Sequence, residues 1–146
     1  MAVMTAPTFS TGLLPAGTLL ALARRGLVEA TTTDRPAERY ATAHLAALRA
    51  AAAVLACRAR PAGPGSGRRS RPTSAWVLLA TVAPELGEWA AFFAAGARKR
   101  AAAEAGLPSA VTPREADDLV RDTETFLAVV ETTLGFDGHQ LLLASG

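Results

Sequence analysis

The sequence predicts an all-α protein, a bundle of four to five antiparallel helices. Three observations predict it. Half of the 146 residues are hydrophobic, yet alanine is the largest contributor and only 5% are aromatic; alanine is the strongest helix former and lets backbones approach closely. Apolar residues recur three and four apart in one segment after another, which is the helical period. The segment edges carry helix punctuation: a capping box, prolines suited to first turns, and glycines after last turns. The length suits one domain that buries its own core without disulfide or metal staples.

The central element is Tyr40 to Cys57, YATAHLAALRAAAAVLAC. At about 100° per residue, Tyr40, His44, Ala47, Leu48, Ala51 and Leu55 share one face. The opposite face holds Thr42 and Arg49 among alanines. A helix apolar on nearly all sides is buried by several neighbours, and the other helices are expected to pack on this one.

Taken in order, residues 1–14 read as a disordered lead-in. From about Pro15 to Ala30 a first helix presents Leu19, Leu20, Ala23, Leu27 and Ala30, with Arg24, Arg25 and Glu29 on the wet side. Thr33 or Asp34 is expected to cap the central helix, with Pro36 in its first turn. A connection this short makes the first two helices antiparallel neighbours. Residues 60–73, RPAGPGSGRRSRPT, hold three prolines and three glycines and form a flexible surface loop. Ser74 is a cap for a third helix, which Pro84 breaks. A further helix over 84–105 carries Trp89, Phe92 and Phe93, then Arg98, Lys99 and Arg100, and Gly106 closes it. The last helix starts at the capping box Thr112-Pro113-Arg114-Glu115 and runs to Gly135, with an apolar stripe from Ala116 to Leu134. Asp117 and Arg121 stand at pairing distance on its wet side. Residues 136–146 form a tail, so the domain spans 15–135.

The formal charge of +2 is too small to announce a nucleic-acid binder. Lys99 is the only lysine, which with the alanine, glycine and proline content points to a high-GC bacterial genome. The lone Cys57 excludes an intrachain disulfide framework and fits a reducing cytoplasm. Val54-Leu55-Ala56 before it mimics a lipoprotein cleavage box, but far too deep in the chain. No basic region precedes the first apolar residues, and no run of about 18 uncharged apolar residues suggests a membrane span. Phosphate loops, zinc spacings and Ser–His–Asp arrangements are absent, so no cofactor and no metal are expected.

Three blocks carry a family resemblance: RPAERYATAHLAALRAAAAVLACRAR, SAWVLLATVAPELGEWAAFFAAGARKRAAAEAG and VTPREADDLVRDTETFLAVVETTLG. Over about residues 15–135 the chain resembles a small actinobacterial family of stand-alone HEPN-domain proteins. The resemblance implies a bundle of four or five helices, a homodimer and an RNA-related role, since many HEPN domains are ribonucleases or inactive RNA binders. The ribonuclease members share an Arg followed by His after four to six residues. Arg39 and His44 match that spacing, where a histidine can move a proton and an arginine can bind the scissile phosphate. The family places this motif on late helices across a dimer, with a small polar residue after the Arg. Here it lies in the second helix, Tyr40 follows Arg39, and the two side chains point about 140° apart. Arg121 on the late helix has its next histidine, His139, eighteen residues on.

Each candidate has a structural reading beside the functional one. His44 is either a catalytic residue or a hydrogen-bonded core histidine. Arg58, Arg60, Arg68, Arg69 and Arg71 either contact RNA phosphates or belong to a solvated linker; no aromatic residue interleaves with them to stack bases. Trp89, Phe92 and Phe93 either pack the core or form a dimer or partner surface. Asp117, Asp118 and Asp122 are read as a solvated face without the His or Cys partner of a metal site. Cys57 is read as a small core residue. The leading functional reading is a cytoplasmic, non-catalytic module that binds RNA or a protein. A metal-independent endoribonuclease using Arg39 and His44 is the first alternative. A structural scaffold without nucleic-acid contact is the second.

Overall fold

The computed structural model describes residues 14–58, 74–107 and 110–136. Almost all of the lead-in, the whole loop 60–73 and the tail beyond Phe136 lie outside the described residues. Among the described residues every regular element is helical. They are α1 (Ala16–Thr31), α2 (Pro36–Arg58), α3 (Ala75–Val82), a 3-10 turn (Pro84–Leu86), α4 (Gly87–Ala95), α5 (Ala97–Glu104) and α6 (Pro113–Leu134).

Helix α2 is central, and α1, α6, α5 and α3 all pack on it. Its mean hydropathy reaches 1.4 over eighteen residues, enough by length and composition to cross a membrane despite Arg49. Half of that window is buried within the bundle. The buried stripe differs from the expected one. Ala43, Ala46, Ala50 and Ala53 are fully enclosed, whereas Leu48 and Leu55 are half-buried. The short alanines let α1 and α6 close on the helix from both sides, and the longer leucines lie at the seam edges. Gly26, buried on α1, packs toward Ala46 in the same seam. Near the end of the helix Cys57 is exposed, and the core reading of it is corrected.

The α1–α2 connection also departs from expectation. Pro36 opens α2, but Arg35 precedes it, and Thr33 turns its hydroxyl back to donate to the Glu29 carbonyl at 2.7 Å. Neither Thr33 nor Asp34 holds the cap position. At α3 the Ser74 hydroxyl accepts from the Val77 amide at 3.2 Å, and the helix stops before Pro84.

The segment from 84 to 105 is three pieces rather than one helix. A 3-10 turn leads into α4, and Gly96 separates α4 from α5. A Cβ at Gly96 would sit 2.8 Å from Tyr40 Oη. The backbone there is ordinary right-handed helical (φ −84°), so glycine is needed for space, letting the α4–α5 junction close onto α2. Gly106 then ends α5 with φ +75°, and the Leu107 amide donates to Ala102.

Helix α6 follows its signals. Glu115 N donates to Thr112 Oγ1 at 3.0 Å while Glu115 Oε1 accepts from Thr112 N at 2.9 Å. Gly135 (φ +81°) closes the other end, where the Phe136 amide donates to Glu131 O. One polar contact in the α1–α6 seam was not anticipated. Arg24, expected on the wet side, grips the buried Glu131 through a fork, with Nε and Nη2 each 2.7 Å from a carboxylate oxygen. This hydrogen bond to Glu131 raises the already high pKa of the guanidinium, against the opposing effect of burial.

Candidate functional site

His44 and Arg39 leave α2 toward different neighbours. His44 is 1% exposed and sits among aromatic rings. Trp76 of α3 and Phe93 of α4 meet it edge-on at 5.8 Å, and Tyr40 stacks one turn before it at 6.4 Å. Its Nε2 lies 3.1 Å from the Phe93 carbonyl. A carbonyl only accepts, so Nε2 carries the proton and Nδ1 is the bare nitrogen. Nδ1 is buried with no hydrogen-bond partner among the described residues. Burial lowers the pKa of this imidazole from 6.5, and the nearby Arg100 lowers it further, against the opposing pull of the Phe93 hydrogen bond. The ring is therefore held neutral and its one proton is committed to the backbone of α4.

Arg39 is committed elsewhere. Its Nη1 donates to the Thr33 carbonyl at 2.8 Å and to that of Asp34 at 3.2 Å. Its Nε lies 3.1 Å from Asp117 Oδ1, an ion-pair contact without hydrogen-bond alignment. The guanidinium thus clamps the α1–α2 connection to the start of α6. Asp117 is taken up in that clamp, so Arg121 pairs instead with Asp118 at 2.8 Å, correcting the expected Asp117–Arg121 pair. Within one chain, Arg39 and His44 do not meet in a shared cleft.

The aromatic trio divides. Phe93 is 1% exposed and lies 5.0 Å, centroid to centroid, from both Trp76 and Phe126. Its place on a partner surface is corrected: one residue along α4 is about 100° of rotation, which turns Phe93 inward when Phe92 faces out. Phe92 is 45% exposed and Trp89 half-buried. Around Phe92 runs a groove between α4 and α6. At one end a hollow of about 330 Å³ is lined by Glu88, Trp89, Phe92 and Asp122. Adjoining hollows, sharing Phe92, continue over Tyr40, His44, Gly96 and Leu119 toward Lys99 and Glu115.

The groove's charges are unevenly matched. Lys99 Nζ pairs with Glu115 at 2.9 Å and Arg121 with Asp118 at 2.8 Å. Among the described residues, Glu88 and Asp122 are in no ion pair. Partial burial raises the pKa of the Asp122 carboxyl, Asp118 adds to the rise, and Arg121 opposes it. Among the described residues, no three His, Cys, Asp or Glu side chains gather as a metal site. Another hollow, of about 660 Å³ between the α1–α2 connection and the end of α5, is lined by no aromatic ring and by neither Arg39 nor His44.

Of the five loop arginines only Arg58 is described; it closes α2 with Nη1 2.6 Å from Glu85 Oε2. Glu88 did not stand out in the sequence, and Asp122 is read there as part of a solvated face, although Glu88 and Phe92, and Asp118 and Asp122, are each one turn apart. That spacing was the available signal.

An all-helical bundle built around one alanine-rich helix, with a charged, aromatic groove on one face, is an all-α helical-bundle domain by class. Residues 30–131 match the family described as SAV_6107-like HEPN, and the chain belongs to this family. No curated protein matches the chain, and no solved structure does.

Proposed function

We propose that this chain is a non-catalytic HEPN module that binds another protein through the α4–α6 groove. The carrying observation is the placement of His44. Its proton is donated to Phe93 O, its ring is walled by Tyr40, Trp76 and Phe93, and burial keeps it uncharged. A general acid–base needs access to the reacting group and a pKa near the working pH. His44 is 1% exposed, borders the groove only in the wall of one hollow, and has its pKa lowered by burial; Arg39 is held by Thr33, Asp34 and Asp117. The groove supplies what binding needs: exposed aromatic area at Phe92, a half-buried Trp89, and a polar rim. Its carboxylates disfavour a phosphate backbone, which is why the partner is read as protein rather than RNA.

The test is incubation of a labelled single-stranded RNA pool with the purified protein in EDTA, with His44→Ala alongside. We expect no cleavage by either protein. Cleavage by the parent protein that disappears in a variant still folded by circular dichroism would overturn the reading and make His44 catalytic.

A further inference from the structure

We infer that the hollow lined by Glu88, Trp89, Phe92 and Asp122 receives an arginine side chain from a basic segment of the partner protein. The inference rests on the α4–α6 groove being the binding face, and it names the chemistry recognised there. Two carboxylates from different helices, Glu88 on α4 and Asp122 on α6, border the same hollow as the rings of Trp89 and Phe92. Carboxylates supply forked acceptors for a guanidinium, and the faces of Trp and Phe attract a cation. An arginine suits this better than a lysine, because a planar, weakly hydrated guanidinium can stack and pair at once.

Among the described residues, the neighbouring cations leave the position open. Lys99 on α5 is paired with Glu115, and Arg121 with Asp118. Tyr40 of α2 borders the groove farther along, with Leu119. The groups facing Asp122 are thus Glu88 from α4, Asp118 and Arg121 on its own helix, and Tyr40, Lys99 and Glu115 along the groove. Asp122 has already lost part of its hydration on folding, and a guanidinium would replace the lost water with a charged donor. Binding should therefore weaken as pH falls through the raised pKa of Asp122.

The two tryptophans give the experiment an internal control. Trp89 lines the hollow, and Trp76 is buried in the core. ¹⁵N-labelled protein is titrated with N-acetyl-arginine amide and, separately, with the neutral isostere N-acetyl-citrulline amide. We expect a saturable shift of the Trp89 indole N–H with the arginine compound, no shift of Trp76, and no saturable shift with citrulline. Asp122→Asn and Glu88→Gln should each weaken binding by about fivefold or more. An unmoved Trp89, or an equal response to citrulline, overturns the inference.

The underlying reading is tested separately by sedimentation velocity of the parent protein and Phe92→Ala. If arginine fails but Phe92→Ala abolishes self-association, the groove joins copies of this chain; the inference falls and the protein-binding reading stands. If a single-stranded RNA oligonucleotide shifts Trp89 where arginine does not, both fall.

Discussion

Tyr40 and Gly96 pack closely: a methyl group at position 96 would lie 2.8 Å from the Tyr40 hydroxyl. The helical backbone at Gly96 would otherwise welcome alanine, which there gains about 0.5–1 kcal/mol over glycine. Gly96→Ala should therefore destabilise the parent protein, and become neutral or stabilising once Tyr40→Phe removes the hydroxyl. Chemical denaturation of the four proteins in this double-mutant cycle measures the coupling; strict additivity would show that the contact carries no cost. At His44 the expectation concerns pH. Its folded-state pKa lies below the usual 6.5. A group depressed in this way contributes stability that is present above the unfolded pKa and lost as pH falls through the folded one. Thermal melts from about pH 7 to pH 5 should show falling stability, and His44→Phe should flatten that dependence. The place of His44 in an apolar stripe was legible from its spacing to Tyr40. Its partner was not, because Phe93 is 49 residues away and its carbonyl reaches the ring only where Gly96 lets α4 close on α2.

Helix α6 was legible almost to the residue, because both its ends are written in local chemistry: the Thr112–Glu115 box and Gly135. Thr112→Ala should cost about 1 kcal/mol, measurable as a lower denaturation midpoint without a change in slope. The segment 84–105 was less legible. Its composition favours a continuous helix, and the break at Gly96 answers a tertiary demand from α2. The same limit hid the Arg24–Glu131 fork, since the wet side of an isolated α1 becomes the α1–α6 seam in the bundle. Glu131 is 5% exposed, so Arg24→Met leaves a carboxylate buried without its partner and should cost about 3 kcal/mol. Adding Glu131→Leu should recover much of that loss. No recovery in equilibrium unfolding would mean that the fork contributes more than two well-packed apolar side chains.

Across the whole molecule, the bundle divides its aromatic residues between two tasks. Trp76, Phe93 and Phe126 pack around His44 and its neighbours, while Phe92 and part of Trp89 remain available in the α4–α6 groove. The all-α class and the central role of α2 followed from alanine content and period. The division of the aromatic trio did not, because it depends on how α4 is turned against α6. His44 faces inward, and in the function proposed above its role is structural while binding lies at the surface. The most direct measurement of this claim is a long-range ¹H–¹⁵N spectrum of the His44 ring, recorded from roughly pH 7.5 to pH 5. We expect a neutral ring protonated at Nε2 at neutral pH, with its conversion to imidazolium shifted below pH 6.5. A proton on Nδ1, or an imidazolium forming near pH 6.5 in the folded protein, would contradict the structural role and return His44 to the catalytic candidates.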